Sequence, residues 1–598
     1  MSARLEKRAP QLRLKLEGWR SRFVLVLVAG AFAVLAGRAF YLQALNTSFL
    51  QAKGEARYAR VIEMPASRGK VLDRNGSPLA ISTAVESICA TPEELSEAEH
   101  RDVAALARAL GIGENEIRQK IARKDRQFVF LKRQISPEQA AKVMALRIPG
   151  VFQQREFRRY YPAGEVMAHV VGFTGIEDNG QEGIELAADS RLSGVPGSRK
   201  VIRDRRGRVV EDAEGWRPPR DGEAVTLAVD QRLQFLAHRE LKAAVEANRA
   251  KAGSLVILDA KTGEVLALVN QPDYNPNNRA AVTGRQTRNR SVTDLFEPGS
   301  TLKPFTVAAA LDAGIVKPTT MIDTSPLKIG GWTINDSHPM GMLSVAQVIS
   351  RSSNIGTARI QMQMSAERMG TLYRELGFGS QPATGFPGEA KGLLRPWEKW
   401  RPIEMATMSY GHGISVSLLQ VARAYTVFTN DGELLPLALT RLDADDSHPA
   451  GASQPRGKPL FTTQSVREVV RMMEAATQPG GTATRAQVPG YRVAGKTGTA
   501  HKPEAGGYAE HKYVSSFVGF GPVSDPRFIV AVMLDEPTGA KYYGGDVGAP
   551  LFSSVMGAAL RMMSVAPDAP ATLNAAVTPL NSIVAPVKAG ARAPGAEG

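Results

Sequence analysis

One stretch sets the layout of the chain before anything else is read. Phe23–Gly37 (FVLVLVAGAFAVLAG) is continuously apolar, Arg38 interrupts it, and Ala39-Phe-Tyr-Leu42 carries it on to about Leu45. Counted past Arg38, the run approaches the ~20 residues that a membrane-spanning helix needs. Arg38 then falls near one interface, where its long side chain can snorkel or meet a partner helix. Before the run, Arg4, Lys7, Arg8, Arg13, Lys15, Arg20 and Arg22 are set against only Glu6 and Glu17. That excess of positive charge keeps a short N-terminal tail in the cytoplasm. No small-x-small cleavage site follows the run, which favours a retained anchor over a removed signal. The expected layout is a basic tail over 1–22, a transmembrane helix over 23–45, and everything else beyond the membrane.

That remainder is too long for one hydrophobic core and suits two or three domains, in a chain of 598 residues with a formal net charge of +15. Such a charge would suit nucleic acid, but no basic helix with interleaved aromatics and no nucleic-acid-binding motif is present. An anionic membrane or cell wall, or a plain solvated surface, accounts for it as well, and no nucleic-acid partner is expected. The single cysteine, Cys89, excludes an internal disulfide and sits in the strand-like Glu86-Ser-Ile-Cys-Ala90, the setting of a buried structural thiol. The eight histidines are scattered, without a His-Glu-x-x-His string, so neither a metal nor another cofactor is expected.

The chemistry concentrates at Glu297-Pro-Gly-Ser300-Thr-Leu-Lys303-Pro304. A Pro-Gly turn precedes Ser300, and an apolar run (Phe305, Val307, Ala308, Ala309, Ala310, Leu311) follows Lys303, so Ser300 is expected in the first turn of a buried helix. Residues i and i+3 share a helix face, which brings Lys303 within reach of Ser300. A serine hydroxyl is a poor nucleophile until a neighbour takes its proton. A lysine can take it only if burial and nearby positive charge lower its pKa. Ser-x-x-Lys alone recurs on many solvated helices. Two further strings change its meaning: Ser352-Ser353-Asn354 and Lys496-Thr497-Gly498-Thr499.

Elsewhere the pattern is that of an α+β protein. Arg74-Asn-Gly76 after an apolar alternation signals a hairpin turn, and Thr91–Ile148 has helical spacing. Glu211–Gly222 is a polar, Pro-containing linker and a domain boundary. Helical periodicity over Asp230–Ala250 is followed by strands at Ser254–Leu258 and Glu264–Val269. A second strand pair, Ser515–Gly521 and Phe528–Leu534, and a short strand over Arg492–Ala500 complete an antiparallel sheet drawn from distant segments. The expected domains are 46–222, 223–565, and a mobile Ala/Pro-rich tail over 566–598.

The three strings, in this order, are the signature of penicillin-binding proteins and class A β-lactamases. From the anchor to about Met563 the chain resembles the class B penicillin-binding proteins, D,D-transpeptidases of peptidoglycan synthesis, and within them the division-specific type (penicillin-binding protein 3, FtsI type). The resemblance extends to Arg68–Gly76, Arg288-Asn-Arg290, Gly385-Phe-Pro-Gly-Glu389, Ser409-Tyr-Gly-His-Gly413, Leu419-Gln420, Tyr543-Gly-Gly545 and Ala549-Pro-Leu-Phe552. His412 stands where many relatives carry an aromatic residue, and it is assigned no role.

The resemblance implies a transpeptidase domain on an elongated N-terminal pedestal. Ser300 would be the nucleophile and Lys303 its base. Ser352 would relay a proton to the leaving amine, and Asn354 would hold Lys303 and the substrate amide. Lys496 would help keep Lys303 neutral. Thr497 and Thr499 would bind the substrate carboxylate, and Gly498 would permit close approach on an edge strand to which an extended peptide adds. The backbone N–H groups of Ser300 and Thr499 would form the oxyanion hole. The implied substrates are stem pentapeptides, with β-lactams as mimics. The implied partners are a polytopic glycosyltransferase (FtsW type) and other division proteins. A β-lactamase would need a deacylating glutamate, and no Glu-x-x-Leu-Asn string lies between Ser352 and Lys496. An elongation-type enzyme, a β-lactam sensor and a catalytically silent scaffold are the remaining alternatives.

Overall fold

A computed structural model describes residues 18–45, 59–96, 100–122, 126, 128–203, 209–212, 216–442, 457–504 and 507–569. Most of the basic tail and residues 570–598 lie outside the described residues. The apolar run forms helix α1, Gly18–Phe40, and stays helical through Tyr41–Leu45. It begins five residues before the expected span, and none of α1 is buried. Gly18–Ala44 is long and apolar enough to cross a membrane.

The chain divides into two compact units. The first gathers the described residues of Met1–Ala66, Glu86–Arg155 and Val195–Arg220. Its core lies where helices His100–Leu110, Glu114–Ile121 and Pro137–Met144 pack around strand Val129–Ile135. Val103, Leu106, Ala107 and Leu110 fall on one helical face, and all four are buried. The strand corrects the expectation of helix throughout Thr91–Ile148. It is short and rich in apolar side chains, and it pairs antiparallel with Glu86–Ala90, setting Phe130 opposite Cys89. Cys89 is fully buried. A separate ladder pairs Ala59–Met64 with Gly197–Arg203, and that strand with Val209–Asp212.

The second unit gathers Ser67–Val85, Glu156–Gly194 and the described residues from Asp221 on. Two segments on the N-terminal side of the Glu211–Gly222 linker therefore pack with the chain on its C-terminal side. They are tied by a buried cluster: Arg68 Nε donates to Glu185 (2.6 Å) and Arg159 Nε to the other Glu185 oxygen (2.7 Å). Asp73 instead shapes the Arg74–Gly76 turn, accepting from the N–H groups of Asn75 (2.9 Å) and Ser77 (2.7 Å).

Downstream, Asp230 caps helix α2 (Gln231–Ala247) by accepting from Arg232 N–H at 2.9 Å. Strands β1 (Ala252–Asp259), β2 (Val265–Gln271), β3 (Ala494–Glu504), β4 (Gly507–Gly521) and β5 (Phe528–Asp535) form one antiparallel sheet in the order β2-β1-β5-β4-β3. Every residue of β1 is buried, which is why its sequence is apolar without alternation. Successive side chains still point to opposite faces. Leu255 and Ile257 join α2 and helix α7 (Gly544–Met562) in one core. Val256 and Leu258 face a larger core that contains helix α3, Lys303–Asp312.

Helices α4 (Val345–Ser350), α5 (Asn354–Gln361) and α6 (Thr463–Thr477) complete that side. Strands β3 and β4 run longer than the sequence signalled, because a polar hairpin extends both past Ala500. The tail expected to be free from Ala566 is still held at its start. Asp568 accepts from the N–H groups of Arg492 (2.7 Å) and Ser524 (3.1 Å), and Ala569 donates to Gly490 (3.2 Å).

Candidate active site

Ser300 lies in a single tight turn, Gly299–Leu302, that runs directly into α3, whose first residue is Lys303. The serine is thus just ahead of the α-helix rather than inside its first turn. The turn is pinned from three directions. Thr301 Oγ1 donates to Pro298 O (2.8 Å), Tyr425 OH donates to Thr301 O (2.8 Å), and Gly299 N–H donates to Gly411 O (3.2 Å). Residues Lys303 to Ala310 of α3 are all buried, so the turn sits on a fixed base.

Strand β3 brings in the Lys-Thr-Gly string at the edge of the sheet, with β4 as its only neighbour in the sheet order. The nucleophile turn packs against this strand. A Cβ on Gly498 would lie 2.8 Å from Pro298 O and 2.3 Å from Ser516 Oγ. The missing side chain is therefore needed for the protein's own packing. Beside it, Gly299 borders the Thr499 backbone.

The third string is the link between α4 and α5. Ser352 has a φ of 63°, a left-handed conformation that costs a non-glycine residue energy and tends to occur where function requires it. The result is that both ends of Ser352 meet lysine. Lys303 Nζ donates to Ser352 O (2.5 Å) and to Ser352 Oγ (3.2 Å), while Lys496 Nζ donates to Ser352 Oγ (2.8 Å). Both lysines are fully buried. Burial, then the neighbouring Lys496, push the Lys303 amine well below the ordinary lysine range, against a weaker opposing pull from Asp336. Burial brings Lys496 down to about 7.

Ser300, Lys303, Ser352, Lys496 and Gly498 thus converge. No hydrogen bond joins Ser300 to Lys303 among the described residues; the amine is turned to Ser352. Asn354 points elsewhere: its side-chain amide donates to Asn335 O at 3.4 Å. Thr497 Oγ1 accepts from Lys496 (3.2 Å), and Thr499 Oγ1 accepts from Gly544 N–H (3.0 Å).

Sequence reasoning missed Asp336. Its carboxylate accepts from Ser353 Oγ (2.5 Å), Asn354 N–H (2.5 Å) and Ile355 N–H (3.1 Å), holding the start of α5 and with it the Ser352 link. A lone aspartate in a loop before a helix carries no spacing signal, so only the fold reveals it. Glu297 opens the Glu-Pro-Gly-Ser string, where local spacing suggests no role for it. It accepts from Tyr508 OH (2.9 and 3.0 Å) and Gly413 N–H (2.8 Å).

The description "Penicillin binding protein transpeptidase domain" fits residues 253–557, and "Penicillin-binding Protein dimerisation domain" fits residues 63–227. The chain belongs to the penicillin-binding protein transpeptidase family. It is 44% identical over 563 residues to a probable peptidoglycan D,D-transpeptidase PenA of Neisseria gonorrhoeae, covering 94% of this chain and 95% of the relative. It is 40% identical over 559 residues to the peptidoglycan D,D-transpeptidase FtsI of Escherichia coli K12, covering 92% and 93%. Among solved structures, the transpeptidase domain of Burkholderia pseudomallei penicillin-binding protein 3 is similar, at 46% identity and a TM-score of 0.53, covering 57% of this chain and 98% of that one.

Proposed function

We propose that this protein is a division-type peptidoglycan D,D-transpeptidase that works through an acyl-enzyme on Ser300. Lys303 takes the hydroxyl proton as Ser300 Oγ attacks the penultimate D-alanine carbonyl of a stem pentapeptide. The tetrahedral oxyanion is met by the N–H groups of Ser300 and Thr499. Collapse breaks the peptide bond, and the proton passes through Ser352 to the departing D-alanine. An amine of a second stem then replaces the serine and leaves a cross-link. Thr497 and Thr499 bind the donor's carboxylate, and Asn354 swings to the substrate amide. β-Lactams stop at the ester.

The N-terminal helix anchors the chain with its basic tail in the cytoplasm and the catalytic unit outside the inner membrane. There it works with a polytopic glycosyltransferase of the FtsW type. One observation carries the chemistry: a buried lysine amine, held below its ordinary pKa, sharing Ser352 with a second buried lysine.

Labelled penicillin tests this on the full-length protein in detergent. A stable adduct is expected on the wild type and none on Ser300→Ala. Rapid hydrolysis of the label would point to a β-lactamase, and a wild type that takes no label would point to a scaffold. Depleting the protein from cells should give filaments; rounded cells would point to an elongation role.

A further inference from the structure

The loop Ser409–Gly413 wraps the segment that carries the nucleophile. Gly299 N–H donates to Gly411 O (3.2 Å) and Gly413 N–H donates to Glu297 Oε1 (2.8 Å), so the backbone on both sides of His412 is fastened just ahead of Ser300. The approach is close enough that a Cβ on Gly411 would lie 2.2 Å from Gly299 O. The His412 backbone is fixed as well, its N–H donating to Thr407 O (3.1 Å). Its ring lies edge-on to Tyr410 (5.2 Å between centroids) and tilted against Tyr508 (6.2 Å), half-buried between them.

The polar groups around this ring are already engaged. Glu297 is held by Tyr508 and Gly413, His501 Nδ1 meets Ala509 O (3.0 Å), and Lys303 is bonded to Ser352. Neither ring nitrogen of His412 has a hydrogen-bond partner among the described residues. Burial, then Lys303 and His501, bring the imidazole down to about 4, so near neutral pH the ring is uncharged and keeps one lone pair. Burial raises the Glu297 carboxyl, and burial with the neighbouring Glu297 raises the Tyr508 phenol, so both favour their neutral forms.

The reaction proposed above needs a second substrate that donates hydrogen bonds. Around the nucleophile, the N–H groups of the turn donate, and the Lys303 and Lys496 amines are both committed to Ser352. We propose that His412 is the acceptor-amine binding residue, its unpaired ring nitrogen accepting a hydrogen bond from the amino group of the second stem as that amine attacks the acyl-enzyme. The arriving ammonium first loses a proton to water. Its nitrogen lone pair forms the new amide bond, its next proton passes to Lys303, the ester C–O bond breaks, and Ser300 Oγ takes the proton from Lys303. His412 orients the amine and gains no proton itself. This rests on the acyl-enzyme reading.

The test uses the full-length protein, a thioester acyl donor ending in D-alanine, and free D-alanine as the amine. Both products, amide and hydrolysed acid, come from one acyl-enzyme, so any loss of folded protein cancels in their ratio. Losing one hydrogen bond to the amine lowers the amide-to-acid ratio of His412→Phe about tenfold. His412→Asn, which keeps an acceptor, should recover most of it. An unchanged ratio in His412→Phe, or an Asn variant no better than Phe, overturns the proposal. A wild type that takes no penicillin label fails earlier, at the acyl-enzyme itself, so the two failures are distinguishable.

Discussion

Arg68 and Arg159 are buried about as deeply as Lys303 and Lys496, yet the two pairs of cations live in opposite electrostatic worlds. The arginines share one carboxylate. Burial pulls Arg68 down, but Glu185 and Asp189 more than offset it, and its pKa is raised. The lysines share a neutral serine, and nothing offsets their burial fully, so both are lowered. A buried charge that is paired stays charged and fixes the backbone around it. A buried amine without a carboxylate gives up its proton instead, and that is the state a base must be in to act. Asp336 marks the boundary between the two regimes. It is spent on Ser353 and the N–H groups of Asn354 and Ile355, so its pull on Lys303 is too weak to restore the proton.

The contrast breaks most sharply if the lysine is replaced by a neutral side chain of similar length. Lys303→Met should slow penicillin acylation about 1000-fold, since a positioned general base contributes on that order. The melting midpoint at neutral pH should not fall, because no ion pair is lost. A large drop in stability would mean that the amine is structural. The converse substitution is Glu185→Gln. It strands Arg159 and leaves Arg68 only the partly exposed Asp189 (2.7 Å), and it should cost roughly 3–5 kcal/mol in denaturant unfolding. Wild-type stability in that variant would show that the cluster is solvated and the contrast false.

Proton linkage sharpens the contrast further. Lys496 sits at about 7 in the folded chain against 10.5 for an ordinary lysine. Between those values the unfolded chain binds the extra proton, so Lys496 makes stability rise with pH across that window and adds no slope below it. Acylation should move the other way. As Lys496 loses its charge through pH 7, the positive charge that helps keep Lys303 neutral is lost, and the rate should fall. Lys496→Arg stays charged and should lose that alkaline limb, at a lower absolute rate. An alkaline limb unchanged in Lys496→Arg would assign it to another group.

How much of this was legible in sequence depended on whether a residue acts through local spacing or through the fold. The helix over Asp230–Ala250 and the strand at Ser254–Leu258 are local patterns, and both elements form there, while Ser300 lies just ahead of α3 rather than in its first turn. The strand inside Thr91–Ile148 was masked by flanking amphipathic helices, whose longer periodicity dominates any window drawn across it. The bond from Lys303 to Ser352 rather than to Ser300 depends on the left-handed turn at Ser352, which no sequence rule would assign to serine. Asp336, Tyr508 and His412 reach the site from loops and a hairpin far along the chain, so no spacing could group them.

Gln361 supplies the smallest and last test, because it is a buried polar group that belongs to neither regime. It closes α5 with 1% exposure, and both its amide nitrogen and its amide oxygen lack a hydrogen-bond partner among the described residues. The arginines are compensated by a carboxylate and the lysines by Ser352, but this amide is desolvated without return. Leaving such a group unpaired costs about 1–3 kcal/mol, and an apolar group of the same shape removes that penalty. Gln361→Met preserves length and flexibility, so it should raise unfolding stability by about 1 kcal/mol, at the low end of that range. Penicillin acylation should be unaltered, since α5 holds the Ser352 link through its first turn and Gln361 is its last residue. If Gln361→Met instead destabilises the chain and slows acylation together, the amide is serving the site, and buried polarity here cannot be sorted by partner alone.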